Sequence, residues 1–449
     1  MRSRNLHATM LSVFALWAAA CGAGPAAGQT EPAPRGGDPA MRTLVLMLDG
    51  VPFGVMDSLW RAGHFAGFRP PSRVISPFPA LTQVSFGSIW REPPTGYEDR
   101  YFDPSENRLE GGLLDHLLKP AEHAGFRRHV DVEPGGIAGT FAYLLPGPMA
   151  GRELDRLREQ ILERAAHDTV VVAYLVSTDA LAHRAGREEV VRYLIEVEAL
   201  LAELRSRFGE ELEIVLFSDH GNEMIPTRRA PLEQALEAGG FDLAGEIEDE
   251  NDVVTPRFGL VGSAFFYTWP SAESRLAEVL RGAEGVELVM FDDTLRRVHV
   301  WSRDGRAIVE ASDDGGRLRY TPVDGDPLGL VPALEALRRN GLLDADGFAP
   351  DSAWLHASRE TPYIDSLRRI VVGMRGLVRY PASVVVSFAP GYHFGSRAAD
   401  LLVDVTGTHG SLRTESAMAF LMTTGDPAPT LVRSDALLRY VPVSRDVQE

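Results

Sequence analysis

Three apolar segments of the sequence each lead into an aspartate. "TLVLMLD" ends at Asp49, "VVAYLVSTDALAH" holds Asp179 and His183, and "EIVLFSDHG" holds Asp219 and His220. Carboxylates and imidazoles in one site are typical ligands of zinc, and they also suit manganese or iron. A single aspartate after a strand is usually a turn former or a helix cap. Because three separate segments repeat the arrangement, it favours one shared metal site over three independent turns.

The segments that carry these residues are predicted to be buried strands. Each is a continuous run of apolar and β-branched residues, which suits a parallel sheet covered on both faces. Between them, "GRELDRLREQILERAAH" and "REEVVRYLIEVEALLAELRSRFG" have apolar residues at helical spacing. The alternation predicts an α/β fold with a mainly parallel central sheet flanked by helices. Since ligands collect beyond the carboxyl ends of parallel strands, the three aspartates are expected to converge there.

The pattern changes after the third of these strands. "VGSAFFYTW", "GVELVMF", "RRVHVWSRDGRAIVEAS" and "RLRYTPV" are typical of shorter, partly antiparallel strands, with Asp304-Gly305 as a hairpin turn. We therefore predict one catalytic domain over residues 41–440 that contains an inserted α+β subdomain at about residues 255–395.

Two further residues supply a hydroxyl and an imidazole. In "SPFPALTQVSFGSIW", Thr82 stands where a helix is predicted to begin, so its hydroxyl would face free backbone N–H groups and the positive end of the helix dipole. From the local sequence alone, Thr82 is more simply explained as a helix cap. "GTHGSL" places His409 in a glycine-flanked loop, which by itself indicates no function.

These motifs follow one another in a fixed order from Met41 to about Leu421: Asp-Gly, P-x-x-T, D-x-x-x-H, SDHG and a late HG. The ordered set resembles the alkaline phosphatase superfamily, most closely its type I phosphodiesterase/nucleotide pyrophosphatase branch. The resemblance implies an alkaline phosphatase-like fold and a hydrolase that cleaves phosphodiester or pyrophosphate bonds. It also implies that Thr82 is the nucleophile and forms a phospho-threonine intermediate.

The resemblance further implies two divalent metal ions, with zinc the first expectation and manganese or iron the alternatives. One ion would be held by four residues and the other by three: Asp49, Thr82, Asp219 and His220 for the first, and Asp179, His183 and His409 for the second. Two such ions would neutralise the charge of a phosphate ester and stabilise its attacking and leaving oxygens. An ion at Thr82 would lower the pKa of the threonine hydroxyl.

The sequence departs from the branch at the expected substrate contacts. A "G-x-x-P-x-x-H-G-I" stretch with a phosphate-contacting asparagine is replaced by "PPTGYEDRYFDPSENRLEGG", where Asn107 is the candidate for that contact. "SDHGN" stands in place of the commoner "SDHGM". His393 in "GYHFG" is a second candidate for a substrate contact, although a hydrogen bond within its loop explains it more simply.

Charge and composition limit the partners. The chain has 449 residues, 45% of them hydrophobic, and a formal net charge of −18. A surface this acidic repels polyanions, which excludes a nucleic-acid polymer as a partner. A small phosphate-ester substrate remains compatible, because it responds to the local field of the site.

The N-terminal segment is predicted to be an export signal. Basic residues precede the apolar "ATMLSVFALWAAA", and "AAAC" resembles a bacterial lipobox that ends at Cys21, the only cysteine. We expect a signal peptide over residues 1–21, a lipid anchor on Cys21, a flexible Gly/Pro-rich linker over residues 22–40, and a location in the periplasm or cell envelope. Two alternatives remain open: secretion with cleavage after Gly28, or a true start at Met41.

Other readings of the same motifs also remain. "TQVSF" lacks the sequence context of a sulfatase nucleophile, phosphoglycerate mutases of the superfamily place serine at this position, and phosphoethanolamine transferases carry transmembrane helices that the sequence lacks. A phosphomonoesterase of the same superfamily is one alternative. A metal-binding but inactive envelope protein that recognises glycans or phospholipids is the other.

Overall fold

The computed structural model describes residues 41–112, 124–134, 142–143 and 145–442. The predicted signal peptide, the linker and Cys21 lie outside these ranges. Within them, no helix is both long enough and apolar enough to cross a lipid bilayer.

Twenty strands and twelve helices make up the described chain. The strands, numbered in chain order, are β1 Thr43–Leu48, β2 Ser72–Ile75, β3 Arg100–Asp103, β4 Arg108–Gly111, β5 Val170–Leu175, β6 Glu213–Ser218, β7 Arg228–Arg229, β8 Asp242–Leu243, β9 Asp252–Val253, β10 Leu260–Val261, β11 Ser263–Phe266, β12 Val286–Asp292, β13 Val298–Ser302, β14 Gly305–Ala311, β15 Arg317–Asp324, β16 Ala349–Pro350, β17 Val384–Phe388, β18 Tyr392–Gly395, β19 Met418–Thr423 and β20 Leu431–Arg433.

The helices are α1 Phe53–Arg61, α2 Thr82–Trp90, α3 Pro146–Arg164, α4 Ser177–Arg184, α5 Arg187–Phe208, α6 Leu232–Ala238, α7 Glu273–Arg281, α8 Val331–Arg339, α9 Asp351–Ser358, α10 Ser366–Arg375, α11 Arg397–Asp400 and α12 Thr414–Ala417. Two 3₁₀ segments, Gly125–His129 and Ser434–Tyr440, complete the set.

The central sheet has six strands in the order β20-β2-β19-β6-β1-β5. Every strand runs parallel to the others except β19, which is antiparallel to both of its neighbours, β2 and β6. The prediction of an α/β fold with a mainly parallel central sheet is confirmed.

Both faces of this sheet are buried, as the continuous apolar strands predict. On β1, Leu44, Leu46 and Leu48 pack into one hydrophobic cluster with α1, α3 and α5. Val45 and Met47, which point to the opposite face, pack with α2 and the two 3₁₀ segments. The period of two along a strand sends alternate side chains into the two clusters, so β1 has no solvent-facing side.

A second sheet of seven antiparallel strands has the order β11-β17-β12-β13-β14-β15-β16. Helices α8, α9 and α10 pack on one face, and α6 and α7 on the other. All of its strands come between β6 and β19 of the central sheet, as an inserted α+β subdomain requires. The exact domain limits stay a prediction.

One predicted turn is displaced by one residue. Ser302 pairs with Gly305 across the β13–β14 hairpin, so the two loop residues are Arg303 and Asp304 rather than Asp304 and Gly305. The remaining strands form small sheets: β10-β18-β7, β3-β4 and β8-β9.

Candidate metal centre

The register of the central sheet brings Asp49 and Asp219 together. Leu48 is level with Ser218 on the neighbouring strand, so the next residue of each chain segment is an aspartate at the same sheet edge. The Gly50 N–H donates to Asp219 Oδ1 at 3.2 Å. Gly50 has a φ of +66°, and a Cβ there would collide with the carboxylate of Asp179. The Asp-Gly step therefore allows two carboxylate-bearing segments to approach one another.

Thr82 lies beside this pair and does not cap its helix. Helix α2 begins at Thr82, the N-cap position is Leu81, and no side chain caps the helix end. The Thr82 hydroxyl instead lies 3.1 Å from Asp49 Oδ1 and 3.2 Å from His220 Nε2. The contact with two predicted metal ligands argues against the purely structural reading of Thr82.

The second predicted ligand set also comes together. On helix α4, Asp179 and His183 are four residues apart and so share one face, with 3.3 Å between His183 Nε2 and Asp179 Oδ2. His409 Nε2 lies 3.7 Å from Asp179 Oδ1. The rings of His183 and His409 meet edge to face at a centroid distance of 5.0 Å.

His220 connects the two halves of the centre. Its Nε2 lies 3.5 Å from Asp49 Oδ1 and 3.4 Å from Asp219 Oδ2, and its ring stacks on His409 at 3.9 Å. Among the described residues, two groups of three have ligand atoms within 4.8 Å of one another: Asp49, Asp219 and His220, and Asp179, His220 and His409. The seven predicted residues thus form one continuous cluster, in which His220 belongs to both groups.

The donor set fits divalent cations. Asp49, Asp179 and Asp219 are each at most 1% exposed, and within the described ranges their ion-pair partners are histidines rather than arginines. Asp179 Oδ1 and Asp219 Oδ2 are buried without a hydrogen-bond partner. Buried carboxylates of this kind are costly unless a cation compensates them.

The histidines are oriented for metal binding. His220 Nδ1 lies 2.8 Å from the Gly221 carbonyl oxygen, and His409 Nδ1 lies 2.8 Å from that of Ala80. A carbonyl at Nδ1 selects the tautomer in which Nδ1 carries the proton, so the lone pair of Nε2 faces the cluster. These backbone contacts hold each ring in place.

Burial also sets the protonation of the cluster. It raises the pKa of Asp49 and of Asp219 well above the usual range, and the neighbouring carboxylates add to the effect. Burial lowers the pKa of His183 to about 4 and that of His220 well below its usual value. Both imidazoles are therefore neutral near pH 7 and can act as ligands, while Asp49 and Asp219 need a cation to stay ionised.

Two tyrosines that the sequence analysis missed support the ligands. The Tyr174 hydroxyl donates to Asp49 Oδ2, and the Tyr143 hydroxyl donates to Asp179 Oδ2 at 2.8 Å. Each fixes one carboxylate and leaves its other oxygen toward the cluster. Tyr174 was detectable as the one polar-tipped residue in the apolar run of β5, but nothing in the local sequence marks Tyr143.

Asn107, the first of the two candidate substrate contacts, is hydrogen-bonded to the backbone of another loop. It lies in the turn between β3 and β4 with a φ of +51°. Its side-chain amide exchanges two 3.0 Å hydrogen bonds with the backbone of Ile247. These bonds fix the hairpin to a neighbouring loop, and the contact with phosphate stays a prediction.

His393 is 1% exposed, and both of its ring nitrogens are engaged. Nδ1 lies 2.8 Å from the Thr227 hydroxyl and Nε2 lies 2.9 Å from Asp400 Oδ1. Burial lowers the pKa of His393, so its ring is held mainly as a neutral hydrogen-bonding group. The two hydrogen bonds match the simpler explanation of His393, and a contact with substrate stays a prediction.

A mainly parallel sheet whose carboxyl edge gathers a carboxylate–imidazole cluster and a hydroxyl has the groups that a metal-dependent hydrolase needs. The family described as type I phosphodiesterase / nucleotide pyrophosphatase matches this chain over residues 87–305. The match covers just under half of the chain and confirms the resemblance predicted from the ordered motifs. Together with the candidate metal ligands, it supports a metal-dependent phosphoester hydrolase. The matched range includes Asp179, His183, Asp219 and His220.

Similar solved structures share little sequence with the chain. Human ectonucleotide pyrophosphatase / phosphodiesterase 5 is 12% identical, with a TM-score of 0.46 over 89% of this chain and 93% of that one. The murine protein of the same name is 11% identical, with a TM-score of 0.45 and the same coverage. Phosphonoacetate hydrolase from Sinorhizobium meliloti 1021 is 13% identical, with a TM-score of 0.43 over 90% and 95%. No curated protein sequence matched.

Proposed function

We propose that the protein hydrolyses phosphodiester or pyrophosphate bonds of small molecules, with Thr82 as the nucleophile and two divalent ions in the cluster, zinc before manganese or iron. The observation that carries the proposal is the Thr82 hydroxyl, within 3.2 Å of both Asp49 and His220 at the N-terminus of a helix. A threonine that served only as a helix cap would not need two ligand-type partners.

The chemistry follows from where the groups lie. When bound, two divalent ions would neutralise the phosphate oxygens and make the threonine hydroxyl more acidic. The Thr82 oxygen forms a bond to phosphorus as the bond to the leaving oxygen breaks, which leaves a phosphate ester on Thr82. The leaving group takes up the threonine proton and departs as an alcohol from a diester or as a phosphate from a pyrophosphate. Water then cleaves that ester, which restores the hydroxyl and releases the second product.

The residues of the chain prepare this reaction in three ways. Helix α2 offers the backbone N–H groups of its first turn to a bound phosphate. Asp49 Oδ1 accepts from the Thr82 hydroxyl while Tyr174 holds the other carboxylate oxygen. Tyr143 holds Asp179 in the same way. The reacting groups are thereby placed before substrate arrives, which lowers the entropic cost of reaching the transition state.

A hydrolysis panel tests the proposal. Purified protein with measured metal content would be assayed against diesters, pyrophosphates, monoesters and phospholipid headgroups. We expect turnover of diesters or pyrophosphates that is lost with chelator and restored by added ion. Metal binding without hydrolysis of any member of the panel would instead support the inactive binding protein.

We expect diesters to be preferred over monoesters by at least about tenfold in kcat/KM. A monoester brings about two negative charges and a diester only one, and helix α2 carries no charged residue from Thr82 to Trp90. Arg127 has its guanidinium 5.7 Å from the ring centre of Tyr174, the tyrosine that contacts Asp49. Because Arg127 is already paired with Glu133, it does not supply the extra positive charge that a monoester would need. Bis-p-nitrophenyl phosphate and p-nitrophenyl phosphate would be compared at saturating metal. A ratio that favours the monoester would make the protein a phosphomonoesterase.

We also propose that Cys21 carries a lipid that anchors the protein in the cell envelope. The support is the lone cysteine after an apolar signal and before a Gly/Pro-rich linker. Expressed with its own leader in a bacterial host, the protein should fractionate with membranes, and Cys21→Ala should release it, because stable anchoring requires the acyl chains. Soluble mature protein that begins at residue 29 would contradict the anchor, and a start at Met41 would contradict export.

A further inference from the structure

A buried arginine outside the metal cluster connects the two loops that supply Thr82 and His409. Arg369 lies on α10 and is 3% exposed. Its guanidinium donates to four backbone carbonyl oxygens, with N–O distances from 2.6 to 3.4 Å: those of Ser76, Pro77, Ile364 and Leu412. Within the described residues, no carboxylate hydrogen-bonds to it.

The four carbonyls belong to segments that meet at the metal centre. Ser76 and Pro77 lead into the loop that ends at Thr82, and Leu412 follows His409 by three residues. The same two segments also touch through His409 Nδ1 and the Ala80 carbonyl, which lie 2.8 Å apart. The guanidinium therefore connects the nucleophile loop, residues 76–82, with the His409 loop, residues 409–412, through hydrogen bonds to both backbones.

The helix that carries Arg369 is packed closely against the nucleophile loop. Gly373 lies one turn further along α10, on the same face as Arg369. A Cβ at Gly373 would collide with the Phe78 carbonyl oxygen. Two positions of one helix face are thus fitted to the backbone of residues 76–78, one by hydrogen bonds and the other by the absence of a side chain.

Burial of a cation at this position costs desolvation free energy. Burial lowers the pKa of Arg369 to about 10, and the nearby Asp365 only partly offsets the effect. A buried charge carries a desolvation cost that contact with apolar neighbours does not offset. Packing alone therefore does not explain an arginine, whereas a planar fork of five N–H donors suits several carbonyls from different segments.

We propose that Arg369 is a positioning residue that sets the distance between Thr82 and His409, and so the spacing of the two halves of the metal centre. The inference rests on the proposed function, because it assigns Arg369 to the same site. Arg369 does not touch substrate or the reacting atoms; it acts through the backbone of the two loops.

The test compares Arg369→Lys and Arg369→Met with Arg375→Lys. Arg375 lies on the same helix but pairs with Asp292 in the inserted sheet, so it controls for the loss of a partly buried guanidinium. Binding of Zn²⁺ and Mn²⁺ to chelator-treated protein would be measured by calorimetry, beside kcat, KM and the thermal midpoint.

We expect Arg369→Lys to remain folded and to bind one of the two ions about 10- to 100-fold more weakly, as for other residues that orient metal ligands without binding the ion. Its kcat should fall by a similar factor, with little change in KM. Arg369→Met should lose more, and Arg375→Lys should match the wild type in both readouts. If Arg369→Met does not fold, the lysine variant decides.

Wild-type ion affinities and kcat in Arg369→Lys would overturn the proposal, and so would losses that follow only the unfolded fraction. A wild-type protein that binds two ions but hydrolyses nothing would refute the proposed function alone. The calorimetric comparison would still decide the role of Arg369 in that case.

Discussion

Thr82→Ala is expected to lower kcat/KM for a diester by a factor on the order of 10⁴ to 10⁶, the size of effect seen when a covalent nucleophile is removed. The hydroxyl lies 3.1 Å from Asp49 Oδ1 and 3.2 Å from His220 Nε2, so its loss removes the attacking atom without disturbing the sheet edge behind it. The other six residues of the cluster remain, and most metal binding should persist.

Two comparisons separate chemistry from packing in this experiment. Thr82→Ser keeps the hydroxyl and should retain partial activity. Thr268→Ala removes a buried threonine hydroxyl that donates to the Asp252 carbonyl in another part of the chain, and it should leave kcat unchanged. Near-wild-type turnover by Thr82→Ala, with metal content confirmed, would remove Thr82 from the mechanism.

The second large effect is expected in metal content. The wild-type protein should bind two ions per chain, and His409→Ala should bind one. His409 Nε2 faces Asp179, and its ring stacks on His220, so its loss opens one of the two groups and leaves Asp49, Asp219 and His220 intact. Loss of a direct ligand should weaken that ion by more than about 100-fold, since the loss of outer partners already costs roughly 10- to 100-fold.

Elemental analysis of protein purified without chelator provides the measurement. His299→Ala is the matched control, because His299 stacks on Phe291 and bonds to Asp293 in the inserted sheet. It should retain two ions. A wild-type content near one ion that His409→Ala does not change would contradict a dinuclear centre.

The convergence of Asp49 and Asp219 was predictable because both directly follow strands. Asp179 was expected at a strand end, but β5 ends at Leu175 and Asp179 lies on helix α4. Parallel pairing in register carries Asp49 and Asp219 to one edge, and the four-residue spacing of Asp179 and His183 places both on one helix face. The continuous apolar runs also predicted a central sheet that is buried on both faces. The antiparallel direction of β19 relative to β6 was not predictable, because an apolar run does not indicate in which direction a strand runs.

The residues that hold the ligands and their loops in place could not be predicted from the sequence, for a different reason. Tyr143 contacts Asp179, and Arg369 contacts Ser76 and Leu412, across long separations in sequence that no local pattern encodes. The sharing of His220 by both ligand groups likewise depends on the stacking of two rings from distant loops. Residue types and spacing show which side chains can bind metal, whereas the tertiary fold decides which groups hold them in place.

Thr82 is proposed to carry the phosphoryl group during turnover. To detect it, the enzyme would be quenched with acid while it hydrolyses bis-p-nitrophenyl phosphate and then digested with trypsin. The peptide of residues 74–91 contains a single threonine, and it would be fragmented in a mass spectrometer. We expect a p-nitrophenyl phosphate ester on Thr82 that is absent from Thr82→Ala. Steady turnover with no modified peptide, or with the ester on another residue, would contradict it.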